Sequence, residues 1–335
     1  MKNLKTAANP QRRAAPAEGP AGARERQLWK RRRAAMETRR NRSTPEGIRP
    51  PFCNRFMKGG IRLFGQVARR SGLYDLGLRN ALDVRVESLP LDFAHLPAPF
   101  DGYRILHITD PHFDAMEGLG DAVHRAVQGC KVDLCVFTGD YRSANDGPFS
   151  PAGVVEPLSA ILDSVEARDG FLATLGNHDT HEMVDVFERL GLRVLANETA
   201  RFARDGCLLS LTGVDDVYRY YTPMANVALR RAADFGPGHF GVALVHSPEL
   251  AAEAAATGYS LYLCGHTHGG QICPPDGKPF LTPVSRNHHL ARGLWRLNGL
   301  TGYTSRGAGV SGLPLRYFAP AEVTMIMLGR RPAGD

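Results

Sequence analysis

Five times between residues 105 and 268 a short apolar run stops at a polar residue. Residues 105–109 lead into Asp110-Pro111-His112, and 134–138 into Gly139-Asp140. Residues 171–175 lead into Gly176-Asn177-His178-Asp179, 242–245 into His246, and 261–264 into Gly265-His266-Thr267-His268. Short apolar runs bounded by such turns read as strands buried on both faces. Helical patterns fill the gaps near residues 119–129, 156–167, 180–190, 222–234 and 249–257. Strand and helix in alternation predict an α/β fold, and open α/β sheets bind ligands outside the carboxyl ends of their strands. All five polar clusters fall at such ends. Residues 81–89 alternate like an opening strand, 96–99 form a connector, Asn298-Gly299 marks a hairpin, and 323–328 read as a closing strand.

Length and composition fit this reading. The 335 residues are 43% hydrophobic and 22% charged, ordinary globular values that exclude a disordered chain or a disulfide miniprotein. No stretch approaches 18 consecutive apolar residues, so no membrane-spanning helix is predicted. Six cysteines without CxxC spacing point to a reducing, cytoplasmic compartment.

The charge is unevenly placed. Residues 1–45 carry 13 Lys/Arg against 3 Asp/Glu, whereas the other 290 carry 28 against 31, within a whole-chain charge of +7. This Ala-, Arg- and Pro-rich segment reads as a disordered basic arm. Such arms bind anionic membrane surfaces or nucleic acid, the latter being the weaker expectation here. Arginine pairs at Arg12-Arg13 and Arg31-Arg32-Arg33 are not followed by an apolar region, which excludes an export signal. Residues 46–95 read as a helical, amphipathic extension leading into the first strand, and 96–330 as a catalytic domain. In the extension Met57, Ile61, Phe64 and Val67 fall at helical spacing among Lys58, Arg62, Arg69 and Arg70. That pattern suits a helix lying in a membrane interface, or one packed on the domain by the same face.

Setting Asp179 aside, the strand-end clusters supply two Asp, one Asn and five His. Imidazole with a few carboxylate oxygens suits Mn, Fe or Zn better than Ca or Mg. Eight such groups exceed the three or four ligands of one catalytic zinc. They suit two divalent cations about 3.5–4 Å apart that share a carboxylate, an arrangement used to hydrolyse phosphoesters.

These motifs, in this order, resemble those of the calcineurin-like metallophosphoesterase superfamily over residues 100–330. The resemblance implies a two-sheet β-sandwich flanked by helices in four layers, and a dinuclear phosphoester hydrolase. It also implies a role for each matching position. Asp110, His112 and His268 would hold one metal, Asn177, His246 and His266 the other, and Asp140 would bridge them. Manganese is the metal expected first, iron or zinc next. A water activated between the cations would attack phosphorus. His178, oriented by Asp179, would protonate the leaving oxygen or steady the phosphoryl group.

The chain departs from the family pattern at Gly139-Asp140-Tyr141-Arg142-Ser143, where a second acid is common. Arg142 there is a candidate phosphate clamp, with a surface ion pair as the alternative. Gly265-His266-Thr267-His268-Gly269-Gly270-Gln271-Ile272, Ser305-Arg306-Gly307-Ala308-Gly309 and Pro314-Leu315-Arg316 further resemble a bacterial membrane-associated phosphodiesterase branch. That branch includes hydrolases of UDP-2,3-diacylglucosamine. It suggests a lipid-linked substrate and a place on the inner membrane face, residues 1–80 touching the bilayer. The rival readings are a soluble nucleotide phosphodiesterase, a protein phosphatase and a metal-binding scaffold without activity.

Overall fold

The computed structural model describes residues 20–38, 55–144, 147–233, 235–279, 282–284 and 288–331. Three helices open the chain: α1 (Pro20–Thr38), α2 (Arg55–Arg70) and α3 (Leu73–Leu82). They are followed by β1 (Arg85–Phe93), β2 (Tyr103–Ile108), α4 (Leu119–Val127), β3 (Lys131–Val132), β4 (Leu134–Thr138), α5 (Val155–Ser164) and β5 (Glu166–Ala167). Next come β6 (Phe171–Thr174), α6 (Glu182–Arg189), β7 (Arg193–Val194), β8 (Glu198–Arg204), β9 (Cys207–Gly213) and α7 (Met224–Ala232). The chain closes with β10 (His239–Leu244), α8 (Ala251–Ala256), β11 (Leu261–Cys264), β12 (Gly293–Leu297), β13 (Leu300–Thr304) and β14 (Glu322–Arg330).

Two six-stranded mixed sheets result, in the orders β1-β14-β2-β4-β6-β7 and β12-β13-β11-β10-β9-β8. Side chains alternate across each strand, and here both sides are apolar. Ile105, Leu134 and Val136 point between the sheets, where they meet Leu211, Val242, Leu244, Leu261 and Leu263 of the second sheet. Their neighbours Leu106, Cys135 and Phe137 face outward onto Val123, Leu158 and Phe187 of the first helical layer. On the far side Ala243, Tyr262 and Cys264 pack under Leu229 and Ala251. The result is an α/β fold of two sheets flanked by helices. Strands β2, β4 and β6 are mutually parallel, as are β9, β10, β11 and β13, so the loops after them gather their residues at strand ends.

The structure corrects several expectations. Pro20–Thr38, within the arm expected to be disordered, is a helix. Alanine and arginine are strong helix formers; what this segment lacks is an apolar face, and single anchors replace it, Trp29 being buried in the first-sheet core. The remainder of the arm, residues 1–19 and 39–45, lies outside the described residues. The amphipathic segment is two helices, because Gly72 adopts a left-handed conformation (φ 74°) between α2 and α3. Of its apolar residues, Phe64 packs edge-on against Tyr317 at 6.1 Å, while Val67 stays 55% exposed; the side chains of Met57 and Ile61 lie outside the described residues. Ala81 and Leu82 end α3 and do not open a strand; Ala81 packs with Leu119 and Val310. The first strand runs from Arg85 to Phe93 at a sheet edge, the place in a sheet where a proline such as Pro90 is tolerated. The β8–β9 hairpin was not anticipated, although Asp205-Gly206, both at positive φ, is a strong hairpin turn signal.

Candidate metal centre

Every candidate ligand sits in a loop that leaves the carboxyl end of a strand. The loops after β2 and β4 are laced by backbone bonds, Asp110 N–H to Gly139 O and His112 N–H to Asp140 O, both 3.0 Å. The loop after β13 closes over them, Gly309 N–H donating to Asp110 O at 2.8 Å. Two glycines make this proximity possible. A Cβ at Gly176 would lie 2.2 Å from Asp140 Oδ1, and one at Gly265 2.1 Å from Asp110 Oδ2.

The side chains converge on Asp140. Its Oδ2 lies 3.3 Å from His246 Nε2, 3.6 Å from His112 Nε2 and 3.8 Å from His178 Nε2. Each of these rings presents its Nδ1 to a backbone carbonyl: His246 to Thr138 at 2.8 Å, His112 to Arg142 at 2.7 Å, His178 to Ser143 at 2.8 Å. A carbonyl can only accept, so Nδ1 carries the proton and Nε2 of a neutral ring turns a lone pair inward. On one side His112 Nε2 faces His268 Nε2 at 3.2 Å, and His268 Nε2 lies 3.5 Å from Asp110 Oδ1. On the other, His246 Nε2 lies 3.2 Å from His266 Nδ1 and 3.1 Å from Asn177 Oδ1. Ligand atoms of Asp110, His112 and His268 lie within 4.8 Å of one another, and so do those of Asp140, His246 and His266.

This donor set fits two cations. Asp110 Oδ1 and His266 Nε2 are buried without a hydrogen-bond partner. Burial pushes the Asp110 carboxyl up. Burial acts the same way on Asp140, but His246, His178 and His112 outweigh it and hold Asp140 well below the usual carboxylate range. Burial and like-charged neighbours keep His266 and His268 well below the normal imidazole value, and burial lowers His112 as well, so all three offer neutral rings. His246 alone is driven up against burial, by Asp140 and Asp110. The field of two enclosed carboxylates demands positive charge, which divalent cations would supply.

Two sequence expectations change here. Asp179 does not orient the His178 ring; its carboxylate accepts backbone N–H bonds from Asp140, Gly176 and Tyr141 at 2.7–2.9 Å. Burial and the Asp140 charge raise it to about 7. The carbonyl of Ser143 orients His178 instead. Arg142 is buried rather than part of a surface ion pair. Its buried guanidinium donates to the carbonyls of His178 (2.6 Å), Gly147 and Pro148 (3.1 Å each), tying the loops around the site together. His181, next along the loop from His178, has its ring held by Glu37 at 2.7 Å.

The site also uses residues other than the candidate ligands. Arg316 is fully buried and donates to carbonyls of Arg306, Gly307, Gly309 and Ala319 at 2.5–3.0 Å, bracing the loop behind His268. Tyr218 lays its ring on His266 at 4.2 Å. The carbonyls of Thr138 and Ser143 are backbone groups, which no side-chain motif reveals.

The sequence pattern of the calcineurin-like phosphoesterase family matches residues 103–270, which contain all seven candidate ligands. The chain is 32% identical over 242 residues to the uncharacterized metallophosphoesterase YkuE of Bacillus subtilis, covering 70% of this chain and 81% of that protein. It is 30% identical over 242 residues to phosphodiesterase YaeI of Escherichia coli, covering 69% of this chain and 83% of that one. A solved structure of Haemophilus influenzae NAD nucleotidase is similar at a TM-score of 0.40 and 16% identity, over 62% of this chain and 45% of that one.

Proposed function

Since the chain belongs to the calcineurin-like phosphoesterase family, a family of metal-dependent phosphoester hydrolases, we propose that it cleaves phosphodiester or pyrophosphate bonds with two divalent cations, manganese first among them. The observation that carries this reading is Asp140 Oδ2, which stands between two histidine groups and within 3.8 Å of three imidazole nitrogens. Asp110, His112 and His268 would hold one cation, Asn177, His246 and His266 the other, with Asp140 shared. When bound, the cations supply Lewis acidity: they activate water and neutralise the phosphoryl oxygens.

The chain's own groups do the rest. The carbonyls of Thr138 and Arg142 fix the ring planes of His246 and His112, so the ligand atoms are positioned before any cation arrives. His178 lies beside the shared carboxylate and is not needed as a ligand. With Nδ1–H held on Ser143 O, a second proton taken up at Nε2 is the one that His178 gives to the leaving oxygen. Asp179 keeps the loop after β6 locked to the loop after β4. The relative named as a phosphodiesterase supports a diester preference over a monoester.

The test is turnover of bis-p-nitrophenyl phosphate and p-nitrophenyl phosphate by the stripped and Mn-reloaded protein. Metal-dependent turnover favouring the diester is expected, falling by at least about 10²–10³-fold in Asp140→Ala. Undiminished activity in that variant would overturn the reading.

One observation favours a second, narrower reading in which the ester is lipid-linked, UDP-2,3-diacylglucosamine being one such compound. Leu63 and Val67 of α2 are 62% and 55% exposed beside Arg69 and Arg70, a surface suited to an anionic bilayer. Among the described residues no helix is long and apolar enough to cross a membrane.

A further inference from the structure

We infer that helix α1, which lies outside the family-matching region, positions one half of the metal centre, and that Arg33 is its positioning residue. This rests on the proposed assignment of Asn177 and His266 to the same cation.

The Arg33 side chain is completely buried, and every direction of its guanidinium is used. Nη2 donates to Asp179 O at 2.8 Å and to Gly176 O at 3.3 Å, the carbonyls on either side of Asn177 and His178. Nη1 pairs with Asp215, and Nε with Glu37 at 3.0 Å. The Tyr220 ring lies 3.7 Å beneath it. One turn further along α1, Glu37 accepts the His181 N–H at 2.8 Å and contacts its ring. Two α1 side chains therefore hold both ends of the segment from Gly176 to His181.

A second connection reaches His266. Trp29 Nε1 donates to Asp215 Oδ2 at 2.7 Å, and Asp215 Oδ1 accepts the Asp216 N–H at 2.8 Å. The Asp216 carboxylate in turn accepts the N–H groups of Tyr218 and Arg219 at 3.0 and 2.7 Å, which places the Tyr218 ring against His266. Asn177 and His266, ligands contributed by different sheets, are thus both referred to α1.

Buried ion pairs are a poor way to gain stability, since desolvation offsets most of the attraction, and an apolar helix face would hold α1 as firmly. What a planar, multiply bonded guanidinium provides is fixed geometry at two carbonyls. Loss of such outer contacts typically costs about 10–100-fold in metal affinity or activity.

The experiment uses the full chain, stripped of metal and titrated with Mn by calorimetry, with turnover of bis-p-nitrophenyl phosphate measured alongside. In Arg33→Met, one of two binding events is expected to weaken about 10-fold or more while the other stays within about 2-fold, and kcat falls about 10–100-fold. Arg33→Lys, which keeps the charge and reaches one carbonyl, restores part of both. Unchanged metal affinities and kcat in a folded Arg33→Met protein would overturn the inference and leave α1 a structural cover. If that variant does not fold, Glu37→Ala decides: it keeps the Arg33–Asp215 pair but removes the acceptor of the His181 N–H, and a kcat lowered about 10-fold or more supports the inference, an unchanged kcat opposes it. Failure of the parent chain to bind Mn would instead count against the proposed function, so the two failures are distinguishable.

Discussion

At five of the seven candidate ligand positions the backbone lies in the left-handed region that side-chain-bearing residues avoid: Asp110 (φ 49°), His112 (39°), Asp140 (60°), His266 (70°) and His268 (52°). Each such residue costs of order 1–3 kcal/mol, and the cost persists only where the surroundings over-determine it. Here the surroundings are the interlaced loops and the glycines that let them touch. A different kind of cost sits one strand inward at His107. It is fully buried, its Nε2 lies 2.8 Å from Thr138 Oγ1, and burial depresses its pKa to about 3. The unfolded chain takes up a proton near pH 6.5, while the folded chain does so only near 3, so stability falls as pH drops through that window. In the metal-stripped protein, His107→Gln is expected to remove about 2–3 kcal/mol of the stability lost between pH 6.5 and 4.5, measured by denaturant unfolding at each pH. Parallel pH curves for the two proteins would contradict this.

At the scale of elements, what could be read in the sequence followed from how local its signals are. Strand β11 and the turn Gly265-His266-Thr267-His268 were legible because the apolar run and the polar turn adjoin, and the same holds for β4 and the turn at Asp140. The order of α1 was not, because its anchors Trp29, Arg33 and Glu37 find partners about 144–186 residues away, and the intervening residues look like any solvated Ala/Arg helix. The carbonyl partners of Arg142 were not legible for a related reason: only the folded loops bring His178, Gly147 and Pro148 to it. Helix α2 was partly legible. It packs through Gly65, which approaches Leu313, and through buried Ala68, leaving Leu63 and Val67 outward. If that face meets a bilayer, the parent protein sediments with phosphatidylglycerol vesicles, and Leu63→Glu/Val67→Glu lowers the bound fraction about 10-fold or more while soluble diester turnover is unchanged. No vesicle binding by the parent chain would contradict the membrane reading.

For the whole molecule, the uneven charge has a structural counterpart. Arg26 bonds Glu198 and Glu188, Lys30 meets Asp185, and Arg33 meets Asp215, so part of the basic N-terminal segment faces acids of the sandwich. The candidate centre joins the two sheets: Asp110, His112, Asp140 and Asn177 follow strands of one, His246, His266 and His268 two strands of the other. No single loop supplies either of the two proposed ligand groups, and Asp140 is the residue assigned to both. The most direct measurement is therefore the metal content of the stripped and Mn-reloaded chain beside its Asp140→Ala variant. Two Mn per chain in the parent, with at least one lost in the variant, is the predicted result. A parent chain that retains one metal or none, or a variant that still holds two, would contradict the shared-carboxylate centre.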